Sequence, residues 1–477
     1  MPLGKNIGRM KLNLDLTNRI KKKKKMNHNF KELTIILKSK PKSTICSLMG
    51  WGLFLAVCLS MQYPNSEMNQ ITIKSEQNVL MTETIQKAIN SCAEKGGGVV
   101  IFPAGTYLCG GIQLKSHVYL QLEKGALLQG SDKYKDYQND AFIYGKDISD
   151  IAIQGEGIID GVDCFNSKGE EGFRGPHCIR LINCKNITFK KFTIKNSANW
   201  AFNLRYCSFG NVEKVSIRGG HDGLHTRFCN NFNVSGCDFR TGDDAFAGND
   251  NRDFSIFNCK INTSCNGFRM GCYNFTVKNC QLWGPGESVH KIQKRNNMLA
   301  AFVHFSPKDE NPKLISGNWL IEDVTIDNVD QVYVYNYLDG LWQTGLPVTN
   351  VHFKNVKATG VLGAFNIIGD TDLKFKLNVE NSSFEFRDGA DYKGDKFEDA
   401  KLLSPSLFNA CNFNQINLLN VIFTKKGTTP VLNIVSGNSL NLDGLTINSD
   451  NNLVPCKIEK VKKVKNINMK FNCIQKL

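Results

Sequence analysis

Residues 219–271 read GGHDGLHTRFCNNFNVSGCDFRTGDDAFAGNDNRDFSIFNCKINTSCNGFRMG. Within and just beyond this stretch, the pattern Asn/Asp–apolar–x–apolar–x–x–Cys–x–apolar begins at Asn231, Asp253 and Asn274, a period of about 22 residues. The polar signatures keep the same period: Asp222, then Asp243-Asp244, then Asn266 and Arg269. So short a strand-like unit cannot bury its own apolar side and must stack on its neighbours. Strands stacked in this way lie about 4.8 Å apart, which makes residues one period apart lateral neighbours. The spacing therefore predicts that Asp222, Asp243 and Asp244 converge on one patch.

Working outward, the same pattern is found at Ile148–Ile153, Asn186–Ile194 and Phe209–Ile217, and it runs on to Leu282. A stretch from Gly284 to Ser316 interrupts it and reads as an insertion that walls a cleft, with His290, Lys291, Lys294, Arg295 and His304. The pattern resumes at Trp319 and Val351, then more weakly near Phe384, Ile416–Phe423 and Leu440–Ile447. Asn recurs at the corners, where its amide hydrogen-bonds nearby backbone and tolerates left-handed φ/ψ. The expected fold is all-β, a single-stranded right-handed parallel β-helix. A β-sandwich competes, but antiparallel hairpins give no reason for Cys237, Cys259 and Cys280 to hold one phase. Earlier repeats carry Phe192 and Val215 at that position, so these cysteines read as an interior ladder of small hydrophobes rather than bridges. Thr82–Lys95 has an apolar stripe at Ile85, Ala88, Ile89, Cys92 and Ala93. It predicts a helix that Thr82 or Thr84 caps, that Gly96-Gly97-Gly98 ends, and that covers the open end of the stack.

The chain has 477 residues, 41% of them hydrophobic, and a formal charge of +15. That charge is local: residues 1–45 hold 13 Lys/Arg against two acids, leaving 46 basic and 42 acidic groups in the rest. A basic run such as Lys21–Lys25 is ordinarily a solvated tail, so no nucleic-acid partner is expected. Ile45–Met61 is apolar and uncharged and follows that positive flank, which suits an export signal better than a membrane span. Translation is expected to start at Met26 or Met49. The expected division is a basic leader at 1–45, an export segment at 46–61, a linker at 62–80 and a β-helix catalytic domain at 81–477. The mature protein is then a secreted, periplasmic or cell-envelope monomer with no membrane span. Leu55-Ala56-Val57-Cys58 faintly resembles a lipoprotein box and leaves open an anchor through Cys58, although Val57 stands where a small residue is expected.

Any single Asp-Gly is ordinarily a turn acid. Three acids in phase differ, because like charges held together cost energy, and one carboxyl is pushed toward its protonated form while the others stay ionised. That division suits glycoside hydrolysis, with a protonated acid for the leaving oxygen and carboxylates to activate water. The same cluster suits a cation such as Ca²⁺.

The run ETIQKAINSCAEKGGGVVIFPAGTY, the GEGIIDG segment and the in-phase H-D-G and G-D-D resemble the polygalacturonase family of glycoside hydrolases, family 28, over roughly Met81 to Leu282. The resemblance implies a right-handed parallel β-helix, inverting hydrolysis of a pectin-like uronate-containing polysaccharide, and no metal or other cofactor. It implies Asp244 as general acid, with Asp222 and Asp243 holding the nucleophilic water. The family's N-T-D, D-D, H-G and R-I-K are met only in part: Gly220-His221 replaces Asn-Thr, and Asn266-Gly267 replaces His-Gly. His221 and His225 are the candidates to supply the missing imidazole, and Lys291 in H-K-I-Q-K stands near the place of R-I-K. Arg269 shares a face with Gly267 and is a candidate clamp for a uronate carboxylate or a neutraliser of the acids; Arg227 and Arg240 carry the same ambiguity. Two other readings stand beside the hydrolase: a Ca-dependent lyase using Arg269 as base, and a non-catalytic carbohydrate-binding β-helix. Trp200, Trp283 and Trp342 are candidate sugar platforms, with Trp342 preferred, whereas Trp319 is in phase with the core.

Overall fold

In the computed structural model, residues 68–336, 345–387, 406–427, 429–450 and 456–473 are described. The leader, the export segment with Cys58, and Trp342 lie outside them. Among the described residues no helix is long and apolar enough to cross a membrane.

The described residues are all-β apart from the helix Thr82–Glu94 and three short 3₁₀ turns. Among the described residues all strand ladders are parallel, each strand pairing with its counterpart one coil later. The reason is the one in the sequence: alternate residues turn inward, and only the next coil can cover them. One inward row runs in register through Ile179, Phe202, Leu224, Phe246, Phe268, Phe302, Tyr333 and Phe365. Phe246, Phe268 and Phe302 stack with centroids 4.7 and 5.0 Å apart, close to the strand spacing. The result is a parallel β-helix. It holds one core cluster from Ile73 to Ile447, with a smaller group around Leu299 and Val303 beside it.

Corners follow the expected chemistry. Asn231, Asp253 and Asn274 all have φ near +57°, and Asn274 donates to Asp253 (2.6 Å) while Asn318 donates to Asn274 (2.9 Å). Cys237, Cys259 and Cys280 are buried free thiols at one phase. A second ladder, Cys184, Cys207 and Cys229, escaped the sequence reading; its next rung is Asn251, whose Oδ1 accepts the Cys229 N–H at 3.1 Å.

Three expectations need correction. The segment taken as a linker, 62–80, contains a strand, Gln70–Thr72, paired with Gly98–Phe102. Neither Thr82 nor Thr84 caps the helix: its N-cap is Met81, and the Thr82 hydroxyl accepts the Gly110 N–H at 2.8 Å. The Gly284–Ser316 insertion is only partly a loop. Its strand Met298–His304 pairs with Asn266–Lys278 and belongs to the sheet below the acids. That strand is buried along its whole length, so it lacks the alternation that would reveal it. His304 is therefore in the core, fully buried, with Nε2 3.0 Å from the Leu346 carbonyl, and is no part of a cleft wall.

Candidate active site

Asp222 sits just before the strand Leu224–Arg227, Asp244 just before Phe246–Phe257, and Asn266 opens Asn266–Lys278. These strands are consecutive in one sheet, with Leu224, Phe246 and Phe268 in register. The three acids consequently meet, one carboxylate oxygen of each lying within 4.8 Å of the others. The convergence expected from the period is present.

Each carboxyl has a different environment. Asp244 is 1% exposed. Its Oδ1 accepts the Asn266 side-chain amide at 2.7 Å and its Oδ2 the Arg269 guanidinium, so both oxygens receive N–H donors. Asp243 has the most exposed side chain of the three, at 18%. Burial alone would raise its pKa, but His290, Arg269 and Arg174 together pull it well below the usual carboxylate range. Asp222 is 3% exposed, and burial together with Asp243 and Asp244 drives its pKa far above that range despite Arg269 and Arg174. Asp222 and Asp243 are thus pushed in opposite directions, the separation a hydrolytic site requires.

Two imidazoles face the acids: His225, as expected, on Asp222, and His290 on Asp243. The Nδ1 of His290 accepts two backbone N–H groups, from Ile292 (3.2 Å) and Gln293 (3.0 Å), so the ring proton sits on Nε2, 3.5 Å from Asp243 Oδ2. The same hydrogen bonds bear on metal binding. Asp243, Cys265 and His290 have metal-like spacing, yet a ligating histidine normally donates from its other nitrogen. Here that nitrogen accepts, which leaves Nε2 without a free lone pair. At the triple-acid cluster, amide and guanidinium donors already occupy both oxygens of Asp244.

His225 does touch an acid, with Nδ1 2.8 Å from Asp222 Oδ2, and its ring lies flat on Trp200 (3.6 Å between centroids, 2° between planes). Burial, then Arg269 and Arg205, keep it neutral by lowering its pKa well below the ordinary value. Trp200 is therefore engaged by an imidazole. His221 makes no hydrogen bond to the acids among the described residues; it stacks on Phe173 at 5.9 Å with Nδ1 buried and unpartnered. Burial, Arg174 and Lys291 lower its pKa to about 3. Lys291 reaches the rim, its stem packed over Gly220 and its Nζ 3.0 Å from Asp163. Gly242 lies beneath the same loop, where a Cβ would come within 2.6 Å of the Val289 carbonyl. Arg269 lies 4.0 Å over the Phe305 ring, and its pKa is raised: Asp244 and Asp222 outweigh the effect of burial. Arg240 is tied to Asp238 and Glu287 over Trp283, away from the acids, and Trp319 is buried.

Sequence reasoning missed Arg174. It is 6% exposed, fixed by Glu171 at 2.6 Å, and directs a guanidinium nitrogen to 3.8 Å from Asp243. It comes from an irregular loop with no period, and nothing in the sequence marks it.

Comparison with known proteins agrees with this geometry. Residues 92–271 match the model of glycosyl hydrolases family 28, a stretch that includes the three acids, Asn266 and Arg269 but ends before His290. An exo-poly-alpha-D-galacturonosidase of Dickeya chrysanthemi is 35% identical over 24% of this chain and 23% of its own. Plasmin and fibronectin-binding protein A of Streptococcus pneumoniae is 32% identical over 24% of this chain and 18% of its own. The chain thus spans less than a quarter of the length of these two relatives. A hyperthermoactive exopolygalacturonase from Thermotoga maritima shares the fold, with a TM-score of 0.53 and 16% identity over 67% of this chain and 87% of that one.

Proposed function

We propose that this chain is an exported glycoside hydrolase of the polygalacturonase type that cleaves a uronate-containing, pectin-like polysaccharide. In this proposal the molecule is a right-handed parallel β-helix monomer, closed at its N-terminal end by the helix Thr82–Glu94. The observation that carries the activity is the divided electrostatics of Asp222, Asp243 and Asp244. The family resemblance assigns the acid to Asp244, but both of its oxygens receive donors, whereas burial and the neighbouring acids drive the Asp222 pKa upward. We therefore assign Asp222 as general acid, Asp243 as the carboxylate that activates water, and Asp244 as the residue that anchors Arg269 and Asn266. Their oxygens lie closer together than the roughly 6.5–9.5 Å usual between the two carboxyls of inverting enzymes. Inversion is tested by the anomer of the first product.

The experiment is digestion of polygalacturonate and rhamnogalacturonan in the presence of a chelator. We expect saturated reducing ends, and a fall in kcat of about 10²–10⁴-fold in Asp222→Asn and Asp243→Asn. Release of nothing from either polymer sinks the proposal. An ultraviolet-absorbing unsaturated product would instead mean a lyase, which the raised Arg269 pKa opposes because a general base must give up its proton. The pneumococcal relative named for protein binding keeps a non-catalytic β-helix as the second reading; intact polymer that nonetheless binds would favour it.

A further inference from the structure

Three arginines crowd the outward face of the consecutive strands His177–Ile182, Phe202–Arg205 and Leu224–Arg227. Arg205 and Arg227 are register partners on Phe202–Arg205 and Leu224–Arg227, and Arg180 pairs with Asn203, the outward residue next to Arg205. Arg227 is held by Glu310 (Nη1 to Oε2 3.0 Å) and Arg180 by the Asn139 carbonyl (2.9 Å) with Asp140 at 3.9 Å. Arg205 hydrogen-bonds only the Asn203 amide oxygen (3.3 Å) among the described residues, and no carboxylate lies within ion-pair distance of it. Burial, Arg180 and Arg227 lower its pKa, and Glu310 and Tyr206 offset this only in part. Like charges gathered in this way are stabilised by an anion placed among them.

An aromatic surface adjoins them. Tyr206 and Phe228 directly follow Arg205 and Arg227 and stack 4.9 Å apart with planes 1° from parallel; Tyr206 is 54% exposed. Both residues adopt positive φ, +56° and +54°, which places the two rings at the same corner of consecutive coils. Exposed aromatic faces beside guanidiniums suit a ligand that is part apolar ring face and part carboxylate. The Arg205 strand lies three strand spacings from the Arg269 strand, about 14 Å across the sheet, so only an extended ligand reaches both.

We propose that Arg205, flanked by Arg180 and Arg227 and floored by Tyr206 and Phe228, is a subsite for a second carboxylate of an acidic oligosaccharide whose other end lies at the acids. This rests on the hydrolase reading for the identity of the ligand, not for its charge. The test is equilibrium binding of a hexamer of galacturonic acid, of its carboxyl-reduced form and of the dimer, to the Asp243→Asn protein, alone and combined with Arg205→Gln or Arg205→Lys. Thermal melts establish that the variants are folded.

We expect Arg205→Gln to weaken the acidic hexamer about tenfold, Arg205→Lys to recover part of the loss, and the dimer and the reduced hexamer to be unaffected. Equal loss for acidic and reduced hexamers, no loss for either, or no binding of the acidic hexamer to the Asp243→Asn protein overturns the subsite. The hydrolase proposal fails separately: binding that depends on Arg205 without cleavage removes the activity and keeps the subsite, and cleavage indifferent to Arg205 does the reverse.

Discussion

The imidazole that faces Asp243 belongs to a residue 47 positions later in the chain, and its proton is placed by two backbone N–H groups of its own loop. That arrangement predicts a particular change in pH dependence. Removing it in His290→Ala takes away the group that contributes most to lowering the Asp243 pKa. The carboxylate then protonates at higher pH, and the acid limb of the kcat/KM profile moves upward while the alkaline limb, set by Asp222, stays in place. An unmoved acid limb would separate His290 from catalysis. Asp222, Asp243 and Asp244 were legible because they stand in phase with a period. His290 was legible only as a loop residue, since the Asn266 position gives no hint of which later side chain supplies the ring. Arg174 was not legible at all.

Within the strands, legibility followed alternation. The row containing Phe246, Phe268 and Phe302 shows the limit of that signal: Ala245 and Ala247 flank Phe246, and Phe302 sits in a strand buried on both faces, within a segment read as an insertion. The row also predicts where the fold is least tolerant. Phe268 is fully buried between Phe246 and Phe302, and neighbouring coils fixed by backbone ladders cannot close around a void. Phe268→Ala should therefore cost about 3–5 kcal/mol, seen as a lower denaturant midpoint with an unchanged m value. A loss below about 1 kcal/mol would mean that the coils relax. The ladder of Cys237, Cys259 and Cys280 follows the same logic, as small apolar groups in a position that Val215 and Phe192 fill in earlier coils.

For the molecule as a whole, the site leaves a mark on stability. His177, His221 and His225 all have pKa values held below the ordinary value, chiefly by burial. As pH falls below about 6.5 the unfolded chain takes up protons that the folded chain refuses, so each contributes stability at neutral pH that is lost on acidification. Asp222 acts in the opposite sense, because its raised pKa lets the folded chain keep a proton that the unfolded chain loses above about 3.9. We expect the urea midpoint to fall between pH 7 and pH 5, and His221→Gln to reduce the slope by up to about 1.4 kcal/mol per pH unit. Identical slopes would mean that His221 charges as readily folded as unfolded. The amino-acid sequence by itself determined the stacked coils, the inward rows, the asparagine corners and the meeting of three acids, because a period of about 22 residues couples each position to its lateral neighbour. Only the tertiary structure decided which acid holds the proton and which cation or imidazole faces it, because those partners come from loops whose path depends on close approaches such as Val289 over Gly242. A repeat carries information about what recurs, and the groups that divide the three acids do not recur.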